Sequence, residues 1–189
     1  MAHFDPAAYA PCVAALVGEP RLMALDAGEP NRPVFEQLSA LDEAGLLGGR
    51  AVRDREMARA CLAGLWLLHD FLDESHRISQ GLHGREGSYW HGMMHRREGD
   101  YANAKYWFRR VGAHPIHETL KLRARGLLRD AAEEAAQLPS RSGWDPSVFV
   151  DLCEAACAGG NGAEPCRKIQ QQEWQLLFDF CYRRALGQR

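Results

Sequence analysis

The chain has 189 residues and a formal net charge of −2, about one domain's worth of polypeptide, and reads as a single α-helical domain over 1–189. Leu and Ala fill 49 positions whereas Val, Ile and Thr together fill 11, a balance that favours helix and excludes a substantial β-sheet. The near-neutral charge argues against a dedicated nucleic-acid binder. The longest apolar run, Ala60–Leu68, is far shorter than the ~20 residues that span a bilayer.

Surface scaling predicts roughly 9,000 Å² exposed when folded, ample burial for a core without disulfides. No basic segment leads into an apolar one near Met1, so the expected location is cytoplasmic, without a membrane partner. The six cysteines contain no Cys-x-x-Cys pair and read as buried or free thiols.

Along the chain, Pro6, Pro11, Pro20, Pro30 and Pro33 punctuate the first fifty residues. Short helices are expected at about Ala7–Val17 and Pro33–Ala44, each opened near a proline. From Val52 to His76 the pattern predicts one long helix whose middle, CLAGLWLLHDFL, is apolar nearly all round, as in the buried centre of a bundle. A polar, Gly-containing connection follows at 77–87. Helices are then expected at Ser88–Glu98 and Tyr101–Val111, with Gly99-Asp100 as the turn between them. A short helix lies between Pro115 and Gly126, with another over Leu127–Leu138. Trp144-Asp145-Pro146 marks a restart, Asp as cap and Pro at the first helical position. The last helix, Cys166–Leu186, turns Ile169, Trp174, Leu177, Phe178 and Cys181 inward.

The stretch SYWHGMMHRREGDYANAKYWFRRVGAHP resembles one tetratricopeptide-type helical hairpin, whose spacing is W-x2-L-G-x2-Y, then A-x3-F, then P. Gly92 takes the small crossing position, and Ala104 and Phe108 take packing positions of the second helix. Pro115 lies one residue from the expected proline. The resemblance covers about thirty residues, one unit, and implies local packing rather than a solenoid. Ser88, His91 and His95 stand where that family places Trp, Leu and Tyr. The chain also resembles a bacterial group sharing HRREGD-x3-AKYWFRRVG-x-HP, a resemblance that implies no particular activity.

Those departures carry the chemistry. His91 and His95, with Glu98 three residues on, put a polar stripe on an inward helix face. His69, Asp73 and His76 form a comparable stripe on the preceding helix. Asp73-x-x-His76 has the spacing of the acid-x-x-His element of metal-carrying bundles, which use Glu and repeat the element. If the helices pack as antiparallel neighbours, the stripes pair level by level: His76 with His91, Asp73 with His95, His69 with Glu98. Residues 76–130 hold eleven Lys/Arg against five Asp/Glu, +6 locally and −8 elsewhere, which suits an anionic ligand or a solvated helix surface.

Three readings follow. The first is a polar pocket for a small anionic ligand or a protein partner, built from His69, Asp73, His76, His91, His95, Arg96, Arg97, Glu98 and Lys105. The second is a metal-dependent enzyme in which histidines among His69, His76, His91 and His95, with His76, His91 and His95 as the candidate set, hold a divalent transition metal and Asp73 or Glu98 acts as ligand or general base. The third is a structural network of histidines that fixes helix register. Lys105, Tyr106, Trp107, Arg109 and Arg110 mix cations with aromatics as nucleic-acid sites do, but Phe108 is wanted by the core.

Overall fold

The computed structural model describes residues 4–19, 21–128, 143–160 and 162–188. Among these there are ten α-helices and no strand, so the all-α expectation holds. In chain order they are α1 (Pro11–Val17), α2 (Phe35–Ser39), α3 (Glu43–Leu46), α4 (Arg55–Leu68) and α5 (Leu72–Ser79). They continue as α6 (Arg85–Glu98), α7 (Tyr101–Val111), α8 (His117–Leu127), α9 (Pro146–Cys157) and α10 (Ala163–Ala185). Short 3-10 turns at Pro6–Ala8 and Arg32–Val34 precede α1 and α2. The exposed surface, 9363 Å², is close to the scaling expectation. None of the described helices is long and apolar enough to cross a membrane.

Helix starts follow the caps that the sequence offers. Asp54 accepts the Met57 N–H at 3.1 Å, Asp100 that of Asn103 at 3.1 Å, and Asp145 that of Ser147 at 2.9 Å, ahead of Pro146. Each satisfies a donor that the first turn leaves open. Gly99, at φ +85°, closes α6 in the left-handed region, so α6 and α7 form a tight hairpin as expected. Gly92 of α6 faces Phe108 of α7 so closely that a Cβ there would lie 3.2 Å from the ring. The expected helix at Leu127–Leu138 falls almost entirely outside the described residues.

The long helix expected over Val52–His76 is in fact two. α4 stops at Leu68, and Asp70 takes φ +63°. The Asp70 N–H bonds Leu67 O and the Phe71 N–H bonds Trp66 O, the two-bond closure that normally has glycine at its left-handed position. Asp there carries a backbone cost of about 1–2 kcal/mol. Its carboxylate explains why it stays: it is gripped by the guanidinium groups of both Arg97 and Arg21. The break re-aims everything after residue 71, which matters for the histidines below.

The main core forms where α4, α6 and α10 meet. Trp90 and Trp174 are wholly buried, and the Trp174 indole N–H donates to Gly64 O at 2.7 Å. The five inward positions expected on the last helix are all fully buried. A smaller cluster joins Leu120 and Ala124 of α8, Phe149 and Leu152 of α9 and Ile169 of α10.

Gly64 permits a close approach of α4 to α6, because a Cβ there would sit 2.8 Å from two atoms of the Trp90 ring. With Trp90 enclosed on all sides, Gly64→Ala costs about 1–3 kcal/mol by overpacking. Calorimetry should show Tm lowered by roughly 3–10 °C; an unchanged Tm would mean that the α4–α6 contact yields freely.

Candidate metal centre

α6 is the floor of the site. It buries eleven of its fourteen residues, although its sequence is largely polar, so each buried polar side chain on it needs a partner. His91 and His95, four residues apart, share the face turned toward α5 on one side and α7 on the other. They are 3% and 6% exposed.

From α5, His76 brings its ring edge-on to both, with centroids 4.8 Å from His91 and 5.3 Å from His95. One nitrogen from each of the three rings lies within 4.8 Å of the other two. From α7, Trp107 stacks on His91 at 4.1 Å and 14°. His91 in turn stacks on His95 at 4.7 Å.

Hydrogen bonds set the tautomers. His95 Nδ1 donates to Glu98 Oε2 at 3.0 Å, so its Nε2 carries the lone pair, which accepts from Asn103 Nδ2 at 3.1 Å. His91 Nδ1 is buried and has no hydrogen-bond partner. Burial, then the neighbouring His95 and His76 rings, push the His91 pKa down to about 3. Burial also lowers that of His95, against the opposing pull of Glu98. Both rings are therefore neutral at pH 7, the form that can ligate a metal.

The expected pairing by levels is only partly realised. His76 meets His91, as expected, and also meets His95. Asp73 is exposed and lines a cleft at the N-terminal end of α5. His69 lies before the break at Asp70 and is turned elsewhere. Its Nδ1 accepts from Asn31 Nδ2 at 2.9 Å and its Nε2 donates to Leu16 O at 3.1 Å. Glu98 is half-exposed behind His95, in the outer position that orients a ligating imidazole.

The three cations are matched internally. Arg96 is wholly buried, bonded to Glu173 at 2.6 Å and Gln170 at 3.2 Å, with its guanidinium over the Phe149 ring. Arg97 holds Asp70 and donates to the carbonyls of Asp26, Ala27 and Leu67. Lys105 pairs with Asp151 on α9.

Asn103 and Trp107 belong to the centre and were not singled out for it from sequence. Their i, i+4 spacing on α7 was the available signal, since it places both on one face. Comparisons of the chain with protein-family models, curated proteins and solved structures find no match. The chemistry rests on the geometry: three imidazoles from two helices, one of them oriented by a carboxylate.

His69 supplies a separate test of burial. Its pKa is lowered to about 4, first by burial and then by Arg21, against about 6.5 in the unfolded chain. A depressed folded-state value means that the unfolded chain takes up the proton first, so this contribution to stability is complete above pH 6.5 and is lost as pH falls toward 4. In thermal melts from pH 7 to pH 4.5, His69→Gln should start less stable than the wild type. It should also lose less on acidification, by roughly 5–10 °C. Equal losses would show that His69 takes up its proton equally in both states.

Proposed function

We propose that the protein binds a divalent transition metal through His76, His91 and His95. One observation carries this reading: three ring nitrogens converge within 4.8 Å, one from a histidine whose buried Nδ1 is without a partner. Two histidines four apart on one helix have the spacing with which zinc metalloprotease helices grip their ion. Zinc–nitrogen bonds of about 2.0–2.1 Å need nitrogens about 3.4 Å apart, so the rings close in by small side-chain rotations. Neutral imidazole ligands suit zinc, copper, iron or nickel better than magnesium or calcium.

Three protein ligands leave a tetrahedral ion one coordination position for water or substrate, the pattern of catalytic rather than structural zinc. A bound metal supplies Lewis acidity at that position. The chain's own part is to hold the ligands: Glu98 fixes the His95 tautomer, and Trp107 fixes the His91 ring plane. The anionic-ligand reading finds less support, because Arg96, Arg97 and Lys105 are each engaged by a carboxylate. The α6–α7 pair is also read as a tetratricopeptide-like hairpin, supported by the approach of Gly92 to Phe108, with its first-helix core positions converted to histidine.

Protein prepared without an affinity tag and dialysed against Zn²⁺ should retain about one equivalent. At free Zn²⁺ a hundredfold above Kd the linkage is about 2.7 kcal/mol, a Tm gain of roughly 5–10 °C. His91→Ala should remove that gain. Glu98→Gln should weaken binding about 10–100-fold without unfolding the protein. Retention below a tenth of an equivalent, with no shift for Zn²⁺, Mn²⁺ or Fe²⁺, would sink the proposal.

A further inference from the structure

The third ligand comes from a short helix that puts little apolar surface into the core. α5 has eight residues, below the ~12–15 at which an isolated helix becomes even marginally stable. Its wholly buried residues are two serines, Ser75 and Ser79, and its apolar Leu72 and Ile78 are only partly buried against the core. Among the described residues, Asp73, Glu74 and Arg77 make no hydrogen bond or ion pair through their side chains. The helix enters from the left-handed Asp70 and leaves into Gly81 and Gly84. An element with few buried apolar contacts belongs to the low end of local stability.

The same helix is one wall of a cleft of about 590 Å³. Phe35 and Phe71, in ring contact, and Glu36 line it, and α5 contributes Leu72, Asp73 and Glu74. Leu72 and His76, four apart, lie on one face of α5. The residue that walls the cleft and the residue that reaches the histidine centre are thus adjacent turns of one short helix.

Resting on the metal reading above, we propose that the centre is a latch. A metal ion bound across His76, His91 and His95 fastens α5 to α6, and metal availability sets the geometry of the cleft wall. The asymmetry of the ligand set is what makes this work. His91 and His95 already share α6 and can hold an ion by themselves, more weakly. The added affinity of the third ligand is realised only when α5 is in place, and by linkage the same free energy holds α5 there.

Backbone hydrogen exchange, read by mass spectrometry with and without ZnCl₂, tests the latch. In the wild type at free Zn²⁺ a hundredfold above Kd, exchange of the Ser75–Ser79 amides should slow about tenfold or more; the α6 pair, which still holds the ion when α5 opens, reduces the full hundredfold linkage. His76→Ala should bind Zn²⁺ more weakly through the α6 pair, and its α5 exchange should not respond to the metal. His76→Gln, closer in size, gives the same comparison if the alanine variant is poorly folded. Zinc binding to the wild type with unchanged α5 exchange would overturn the latch while leaving the metal site intact. Equal slowing in the His76 variants would also overturn it. Absence of zinc binding to the wild type would instead remove the metal reading, and the latch with it.

Discussion

Everything in this fold is arranged around a polar helix placed in the interior. α6 carries two arginines and two histidines among its buried residues, and a buried charge without a partner costs several kcal/mol. The fold answers each in turn. Glu173, itself wholly buried, comes from α10 to meet Arg96 and also accepts the Tyr89 hydroxyl at 3.0 Å. Asp70 turns its backbone into the left-handed region to meet Arg97. Such pairs add little net stability compared with a well-packed apolar core, but they admit one arrangement of neighbours. Arg96 fixes α10 against α6, and Arg97 fixes the end of α4 together with the 26–27 segment.

Protein partners run short at several atoms of α6: Trp90 Nε1, Arg96 Nε and Nη1, and His91 Nδ1 are all buried without a hydrogen bond. A neutral imidazole offers one donor and one acceptor. In a cluster of three, lone pairs that face one another have nothing to accept. Asn103 donates to His95 Nε2 and Glu98 accepts from His95 Nδ1, while the His91 Nδ1 has no hydrogen-bond partner. A purely structural network would be expected to pair every such atom, or to replace the rings with apolar side chains that pack as well. A cation among the three rings would give His91 a partner, and this supports the metal reading together with the convergence of the ring nitrogens.

The sequence was most legible where local signals decide the outcome. Asp100 and Gly99 mark the hairpin, and the observed α7, Tyr101–Val111, has the expected ends. Asp145-Pro146 marks the start of α9 in the same way. The meeting of His76 with His91 was also readable from antiparallel packing, although the same alignment set Asp73, not His76, against His95. The places of His69 and Asp73 were not. Their expected alignment assumed a helix running through residue 70, and nothing local stops it there: Asp is not glycine, no proline follows, and the apolar run continues. The break depends on Arg97 and Arg21, 27 and 49 residues away, and such long-range electrostatic partners leave no trace in hydrophobic periodicity. The pairing of Arg96 with Glu173 was hidden for the same reason, so the arginines looked available to a ligand.

The irregular segment over residues 10–27 is tied down in part by residues far along the chain. The Ala10 N–H donates to the Tyr182 hydroxyl, Arg167 holds the carbonyls of Leu22 and Met23, Gln170 that of Ala24, and Arg97 those of Asp26 and Ala27. On a ribosome making ~5–20 residues per second, this segment waits roughly ten seconds or more between its own emergence and that of α10. Throughout that interval the carbonyls of Leu22, Met23 and Ala24 lack the Arg167 and Gln170 side chains that hold them in the finished fold. The segment therefore settles fully only after α10 has been made. The yield in vivo should depend on whatever shields that segment until α10 emerges.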